Sequence, residues 1–197
     1  KGGFVVPILM TVVLLVIIFS IERFVTLNKA KGKGRIDDFL HQVRHFLAND
    51  QVDEAVAACD TQKGSVANVM RSGLEKYKTV LNDGSLEKET KINTVKQEIE
   101  EATALELPML SKNLVVLSTC ASISTLLGLI GTVLGMIRAF SALAAAGTPD
   151  ATALSTGISE ALINTALGIS GSCIAIIMFY YFSTKIDGIT HGIDEAG

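Results

Sequence analysis

The sequence predicts an all-α membrane protein: three transmembrane helices, with long helices extending into a cytoplasmic helical domain between the first and the second. Three observations predict it. Of 197 residues, 49 % are hydrophobic and only 19 % charged, below the roughly 25 % charged of a soluble globular chain. Three apolar stretches each provide the about 20 residues that cross a hydrocarbon core. The polar, amphipathic sequence is concentrated between the first two stretches. The net charge of −3 comes without a basic stripe interleaved with aromatics, which sets nucleic-acid binding aside.

Residues 4–27 form the first expected span. They are apolar almost until Glu22-Arg23, and Pro7 stands near the start, where a missing N–H costs least. The run exceeds the short core of a cleaved leader and no A-x-A-like site follows, so a permanent anchor is expected. Arg23, Lys29, Lys31, Lys33 and Arg35 then cluster beside its end, and the positive-inside rule makes that end cytoplasmic.

Residues 28–106 are expected to be the cytoplasmic helical domain. Ile36, Phe39, Leu40, Val43 and Leu47 recur at helical spacing, and Asn49-Asp50 ends that helix. A second helix is expected over Val52 to Cys59, a turn at Thr61-Gln62-Lys63-Gly64, and a third helix capped by Ser65. Asn82-Asp83-Gly84 breaks it. After Ser85 one continuous helix is expected to leave the cytoplasm and enter the membrane, with Pro108 kinking it near the surface.

The second span is placed at 107–142 and the third at 157–183. The loop between them, 143–156, contains no Lys or Arg and suits the periplasmic side. Residues 184–197 make a polar cytoplasmic tail.

The second and third spans are rich in small and hydroxyl residues. Ser118, Ser122, Thr125, Leu129, Thr132 and Met136 fall three or four apart, on one helix face. Gly128, Gly131 and Gly135 share an adjoining face, and Gly131-x-x-x-Gly135 permits close helix approach. Ala161, Thr165, Gly168, Ser172 and Ala175 make a similar stripe on the third span. Two readings stand side by side: a tight packing seam, with hydroxyls bonded back to their own helices, or a polar-lined path. Thr132 and Thr165 both come out roughly 8–11 Å below the outer surface at about 1.5 Å per residue.

Ionisable groups inside a membrane are candidates for function, and these spans have few. Arg138 and Glu160 lie at similar height near the outer ends and suit an ion pair that fixes register. Glu22 and Arg23 suit the same role at the inner end of the first span, with their heads snorkelling to the interface. His41 and His45 sit four apart on a helix without an evident third metal ligand. Cys59, Cys120 and Cys173 are isolated, which argues against a disulfide framework or zinc site. No nucleophile–base set, phosphate loop or cofactor motif is present, so neither an enzyme nor a cofactor is expected.

Leu126-Leu127-Gly128-Leu129-Ile130-Gly131-Thr132-Val133-Leu134-Gly135-Met136-Ile137 resembles the LLGLLGTVxGMI signature of the ExbB/TolQ/MotA proton-channel family. Gly157-Ile158-Ser159-Glu160-Ala161-Leu162-Ile163-Asn164-Thr165-Ala166-Leu167-Gly168 resembles its GIxEALxxTAxGL signature, and Ile21-Glu22-Arg23-Phe24 its IER element. Three spans resemble the ExbB and TolQ branches rather than the four-span flagellar stators, and the look of both signatures favours ExbB. Ser124-Thr125 stand where the family often has Ala-Pro, and Cys173-Ile174-Ala175 where it often has Ile-Pro-Ala; without those prolines the helices should be straighter.

The resemblance implies a homopentameric ring in the bacterial inner membrane, with the N-terminus periplasmic and the C-terminus cytoplasmic. It implies a single-span, ExbD-like partner in the central pore, whose membrane Asp carries protons, and a TonB-like protein energised for nutrient uptake. Thr132 and Thr165 match the family's pore-facing threonines. Ser118, Ser122, Thr125 and Ser172 are the further pore-lining candidates, and Gly128, Gly131, Gly135 and Gly168 the packing candidates. A TolQ-like role in the Tol-Pal system and a passive scaffold are the alternatives.

Overall fold

Hydrophobic periodicity and glycine punctuation turn the described residues into seven helices. The computed structural model describes residues 3–81, 87–145 and 151–196. They form α1 (Val5–Ala30), α2 (Ile36–Ala48), α3 (Val52–Gln62), α4 (Ser65–Leu81), α5 (Lys88–Ser111), α6 (Leu114–Ala145) and α7 (Ala151–Ala196). No strand occurs among the described residues. Helical stretches within Val5–Ala30, Lys88–Ala144 and Ala151–Glu195 are long and apolar enough to cross a membrane. The chain divides into two compact units, one of Lys1–Arg23 with Asn113–Tyr181 and the other of Phe24–Lys112 with Phe182–Gly197.

In the first unit, the start of α1 packs through Val5, Leu9, Val12 and Val16, spaced four, three and four, all buried. Its other faces expose Phe4, Met10, Leu14, Ile17, Ile18 and Ile21. An apolar exterior around a thin buried stripe is what a lipid-facing helix requires. Proline at position 7 falls in the first turn of α1, where no intrahelical N–H is lost.

The second unit contains a helical bundle with an apolar core. Phe39, Leu40 and Val43 of α2 are buried with Ala55 and Cys59 of α3 and Val66, Val69, Met70 and Leu74 of α4. Gly73 lets α5 come close: a Cβ there would lie 2.7 Å from Ile99 Cγ1. Ile186, Ile189 and Ile193, near the end of α7, are buried too. Polar ties lie outside this core: Lys78 to Asp53 at 2.5 Å, Lys76 to Glu98 at 3.2 Å and Asn68 to Glu106 at 2.9 Å. Gly32 (φ +75°) and Gly64 (φ +94°) press the α1–α2 linker onto the α3–α4 turn, and the Lys33 N–H donates to the Gln62 carbonyl at 2.7 Å. A side chain at either glycine would meet the opposing backbone.

Several expectations are corrected. The helix after residue 87 is interrupted: α5 ends at Ser111, Lys112 is extended (φ −51°, ψ 139°) and Asn113 is left-handed (φ +62°). Asparagine tolerates that conformation better than most residues, whereas Pro108, the expected kink, lies inside α5. Helix α3 continues through Thr61 and Gln62, so the turn is Lys63-Gly64, and Ser65 is the buried first residue of α4, not its cap. The Gly64 carbonyl takes the first bond of α4, from the Asn68 N–H at 3.0 Å. Helices α6 and α7 occupy both flanks of the expected 143–156 loop, and α7 absorbs the 184–197 tail as far as Ala196. The turn at Asn82-Asp83-Gly84, the expected start after Ser85 and Gly147-Thr148-Pro149-Asp150 lie outside the described residues.

Candidate functional site

Helices α6 and α7 approach through residues that lack bulk. A Cβ on Gly128 would lie 3.0 Å from the Gly168 Cα, one on Gly135 3.0 Å from the Ala161 Cβ, and one on Gly157 2.6 Å from the Ala139 Cβ. Lipid is as apolar as leucine, so helices in it gain little from burying large side chains and associate by close backbone contact. The four glycines expected to pack, Gly128, Gly131, Gly135 and Gly168, all lie in this seam.

Two side chains in the seam escaped the sequence analysis. Ser124 is fully buried and donates to the Gly168 carbonyl at 3.0 Å, tying α6 to α7. Asn164 is 1 % exposed, and neither its Oδ1 nor its Nδ2 has a partner. It lies against Gly131, whose hypothetical Cβ would be 2.6 Å from the Asn164 Cβ. An amide inside an apolar span is the signal that could have found it.

The hydroxyl residues sit on the faces flanking this seam. The Thr132 and Thr165 side chains are hydrogen-bonded to each other across α6 and α7. Each also lies within reach of its own helix, Thr132 with the Gly128 carbonyl at 3.1 Å and Thr165 with the Ala161 carbonyl at 3.3 Å. A hydroxyl donates once and accepts twice, so the pair holds spare acceptor capacity while remaining half-buried. The Thr132 and Thr165 hydroxyls thus bond back to their own helices and to each other.

Further along the same helices, Ser118, Ser122, Thr125 and Ser172 line one groove of about 400 Å³, together with Phe179 and Tyr180. Ser122 and Thr125 bond back to the Ser118 and Ala121 carbonyls, each at 3.4 Å. From Ser118 to Thr132 the hydroxyl face extends about 21 Å at 1.5 Å per residue, most of a hydrocarbon core of about 30 Å. Ala161, Gly168, Ser172 and Ala175 are buried while Thr165 is half-exposed, so the α7 stripe divides between seam and groove.

Charge is confined to the ends of this unit. Arg138 Nη1 lies 2.7 Å from Glu160 Oε1, joining α6 to α7 within one chain. The Arg138 guanidinium also stands 5.6 Å from the Phe4 ring centroid, a cation–π contact. Arg23 and Glu22 pair at 2.7 Å, and Glu22 receives Asn113 Nδ2 at 3.4 Å. Snorkelling is corrected for Arg23: its side chain is 2 % exposed, because the two parallel bonds to Glu22 neutralise it in place. Among the described residues no cluster of three His, Cys, Asp or Glu could hold a metal. His45 instead meets Asn49 Nδ2 at 3.5 Å.

A family model described as the MotA/TolQ/ExbB proton channel family matches residues 61–195. The biopolymer transport protein ExbB of Pseudomonas putida is 31 % identical over 127 residues, covering 60 % of this chain and 39 % of the relative. The Tol-Pal system protein TolQ of Pseudomonas aeruginosa is 28 % identical over 120 residues, 61 % of this chain and 52 % of the relative. An ExbB-like protein of Synechocystis is 42 % identical over 73 residues, 36 % of this chain and 35 % of the relative. The chain thus matches about a third to a half of the length of these curated relatives. With more than half of its residues inside the family model, and three apolar helices in the arrangement described, this chain is a membrane protein that belongs to the MotA/TolQ/ExbB proton channel family.

Proposed function

We propose that this chain is the ring-forming subunit of a proton-driven motor in the bacterial inner membrane, acting with an ExbD-like single-span partner to energise a TonB-like protein. The observation that carries the reading is the Thr132–Thr165 hydroxyl pair, continued along the same helices by the groove of Ser118, Ser122, Thr125 and Ser172. Between Leu114 and Ile137, and between Ile158 and Phe182, the only acid or base is Glu160, and Arg138 engages it. The spans therefore offer hydroxyls that can relay a proton through water but no mid-span group to carry its charge. A carboxylate on a partner helix would complete the path, and a homopentameric ring would surround it with five such faces.

In this reading the N-terminus is periplasmic and the C-terminus cytoplasmic. Moving one charge through 100 mV releases about 2.3 kcal/mol, roughly four times the thermal energy of 0.59 kcal/mol, enough to bias a stepwise motion. The Arg138–Glu160 pair joins α6 to α7 at one end of these spans. The names ExbB and TolQ both occur among the relatives, so energising a Tol-Pal-type envelope system is the alternative coupling. A passive scaffold is the second reading, favoured by the glycine seam alone.

The test is complementation in cells that lack their own such subunit. Thr132→Val and Thr165→Val should leave the complex assembled and lower TonB-dependent uptake at least about tenfold, as expected when a hydrogen bond worth roughly 1.5 kcal/mol is lost from the rate-limiting step. Serine at either position should restore uptake. Normal uptake with both valine variants would remove the threonines from the mechanism and leave the scaffold.

A further inference from the structure

Asn164 carries an amide into the α6–α7 seam, where close backbone contact needs no side chain at all. The residue is 1 % exposed, and neither its Oδ1 nor its Nδ2 has a partner among the described residues. Ser124, enclosed in the same seam, shows a satisfied polar group there: its hydroxyl donates to the Gly168 carbonyl at 3.0 Å. An amide has two N–H donors and an oxygen that accepts twice. Leaving all of them unmet inside an apolar span is costly, and an apolar residue of the same shape would avoid the cost.

The surroundings of the amide are specific. Gly131 lies opposite: a Cβ there would meet the Asn164 Cβ at 2.6 Å and its Cγ and Nδ2 at 2.8 Å. A Cβ on Gly128 would lie 3.1 Å from the Asn164 carbonyl oxygen, and one on Gly135 would meet Ala161. At these three positions α6 brings no side chain against the amide. Gly131 and Asn164 also directly precede Thr132 and Thr165. One residue advances a helix by about 1.5 Å and turns it by about 100°, so the amide stands one helical step behind the hydrogen-bonded threonine pair. The threonines are half-buried and Asn164 is enclosed, so polar surface continues from the pair into the seam.

A buried group with unmet donors and acceptors, walled by residues without bulk, is where proteins hold internal water. We propose that Asn164 binds water in the α6–α7 seam and presents it to the Thr132–Thr165 pair. The amide Nδ2 donates to the water oxygen, and the water donates to a threonine hydroxyl, which has spare acceptor capacity. One water meets only part of the amide's capacity, so the site keeps a residual cost that an apolar replacement removes. What the water does rests on the proton reading above: it hydrates the hydroxyl pair on its enclosed side. Where the water binds does not rest on that reading, and is measured without an ExbD-like partner or a driving force.

The experiment is water-edited solid-state nuclear magnetic resonance of the assembled protein in phospholipid vesicles, with asparagine and serine nitrogen-labelled. Magnetisation passes from water to the protein, and the Asn164 amide is assigned through its connections to Ile163 and Thr165. In the wild type its side-chain signal should rise almost as early as that of Asn49, which is exposed. It should rise well before that of Ser124, which is enclosed and already bonded. An Asn164 signal as late as that of Ser124 would overturn the proposal.

Variants then test the role of the water. Asn164→Leu keeps the shape and removes the hydrogen bonds. It should raise thermal stability yet lower proton flux about tenfold, the scale of one hydrogen bond lost from the path. Asn164→Ser, smaller but polar, should keep both the early water signal and the flux. Opposite signs in stability and flux are not what a purely structural asparagine gives. Unchanged flux in Asn164→Leu, with flux lost in Thr132→Val and Thr165→Val, would overturn the role of Asn164 and leave the proton reading standing. Normal flux in the valine variants would remove the proton reading, and the wild-type spectrum alone would decide the water site. That spectrum also decides it should Asn164→Leu fail to assemble.

Discussion

The two units of this chain solve the same packing problem with opposite residues. The second unit buries Phe39, Leu40, Val43, Val69, Met70 and Leu74, large side chains that leave water when it folds. The α6–α7 seam buries Gly128, Gly131, Gly135, Ala161 and Gly168, which have almost no side chain to bury. The difference teaches where the driving force lies. In water, area removed from solvent stabilises the bundle by about 25 cal/mol per Å². In lipid that term is absent between helices, so backbones must touch and every added atom in the seam is an intrusion.

The strongest way to break this comparison is to add volume to the seam. Gly131→Leu should abolish assembly, because even its Cβ would lie 2.6–2.8 Å from Asn164. The readout is recovery of the complex by size-exclusion chromatography, and normal recovery would contradict the seam. Next in size is removal of volume from the other unit. Leu40→Ala, at a side chain 3 % exposed, should cost about 2–5 kcal/mol of that unit's stability. Chemical denaturation followed by circular dichroism measures it, and the Thr132–Thr165 geometry should be unaffected.

A smaller effect of opposite sign is expected at Asn164. Its two unpartnered polar atoms stand in an apolar seam, where each unmet group costs roughly 1–3 kcal/mol. Asn164→Ala should therefore raise the thermal stability of the assembled protein. A fall would mean that the amide finds partners on another chain in the assembly.

The smallest effect concerns Cys59, buried between α2, α3 and α4. Burial, helped by Asp60, pushes its thiol up to about 11 from 9.0. The folded state holds the thiol proton more tightly than the unfolded state. This contribution is fully present below pH 9 and fades as the pH rises from about 9 to 11. Maleimide should leave Cys59 unlabelled at pH 7 until the unit is unfolded.

The sequence made some of these features legible and hid others for identifiable reasons. The three spans and the α2–α4 bundle were readable because hydrophobic length and three–four spacing are local properties. The Asn113 break was missed because Pro108, the stronger breaker, stands inside a helix that tolerates it. The third span was expected to end at residue 183, but Ile186, Ile189 and Ile193 place a buried stripe in the polar tail. At the site, the hydroxyl and glycine stripes were visible from periodicity. That Ser124 would bond across to Gly168, that Thr132 would meet Thr165 and that Arg23 would be buried are long-range facts, set by how helices meet.

The central claim is that the hydroxyl pair serves proton movement, not only packing. Its most direct test is proton flux into liposomes carrying this chain with the proposed ExbD-like partner, driven by an imposed potential and followed by a pH-sensitive dye. Thr132→Val together with Thr165→Val should leave the reconstituted complex at its normal mass and lower the flux to the level of liposomes lacking the partner. An unchanged flux in an intact double variant would contradict the account, leaving the threonines as part of the seam.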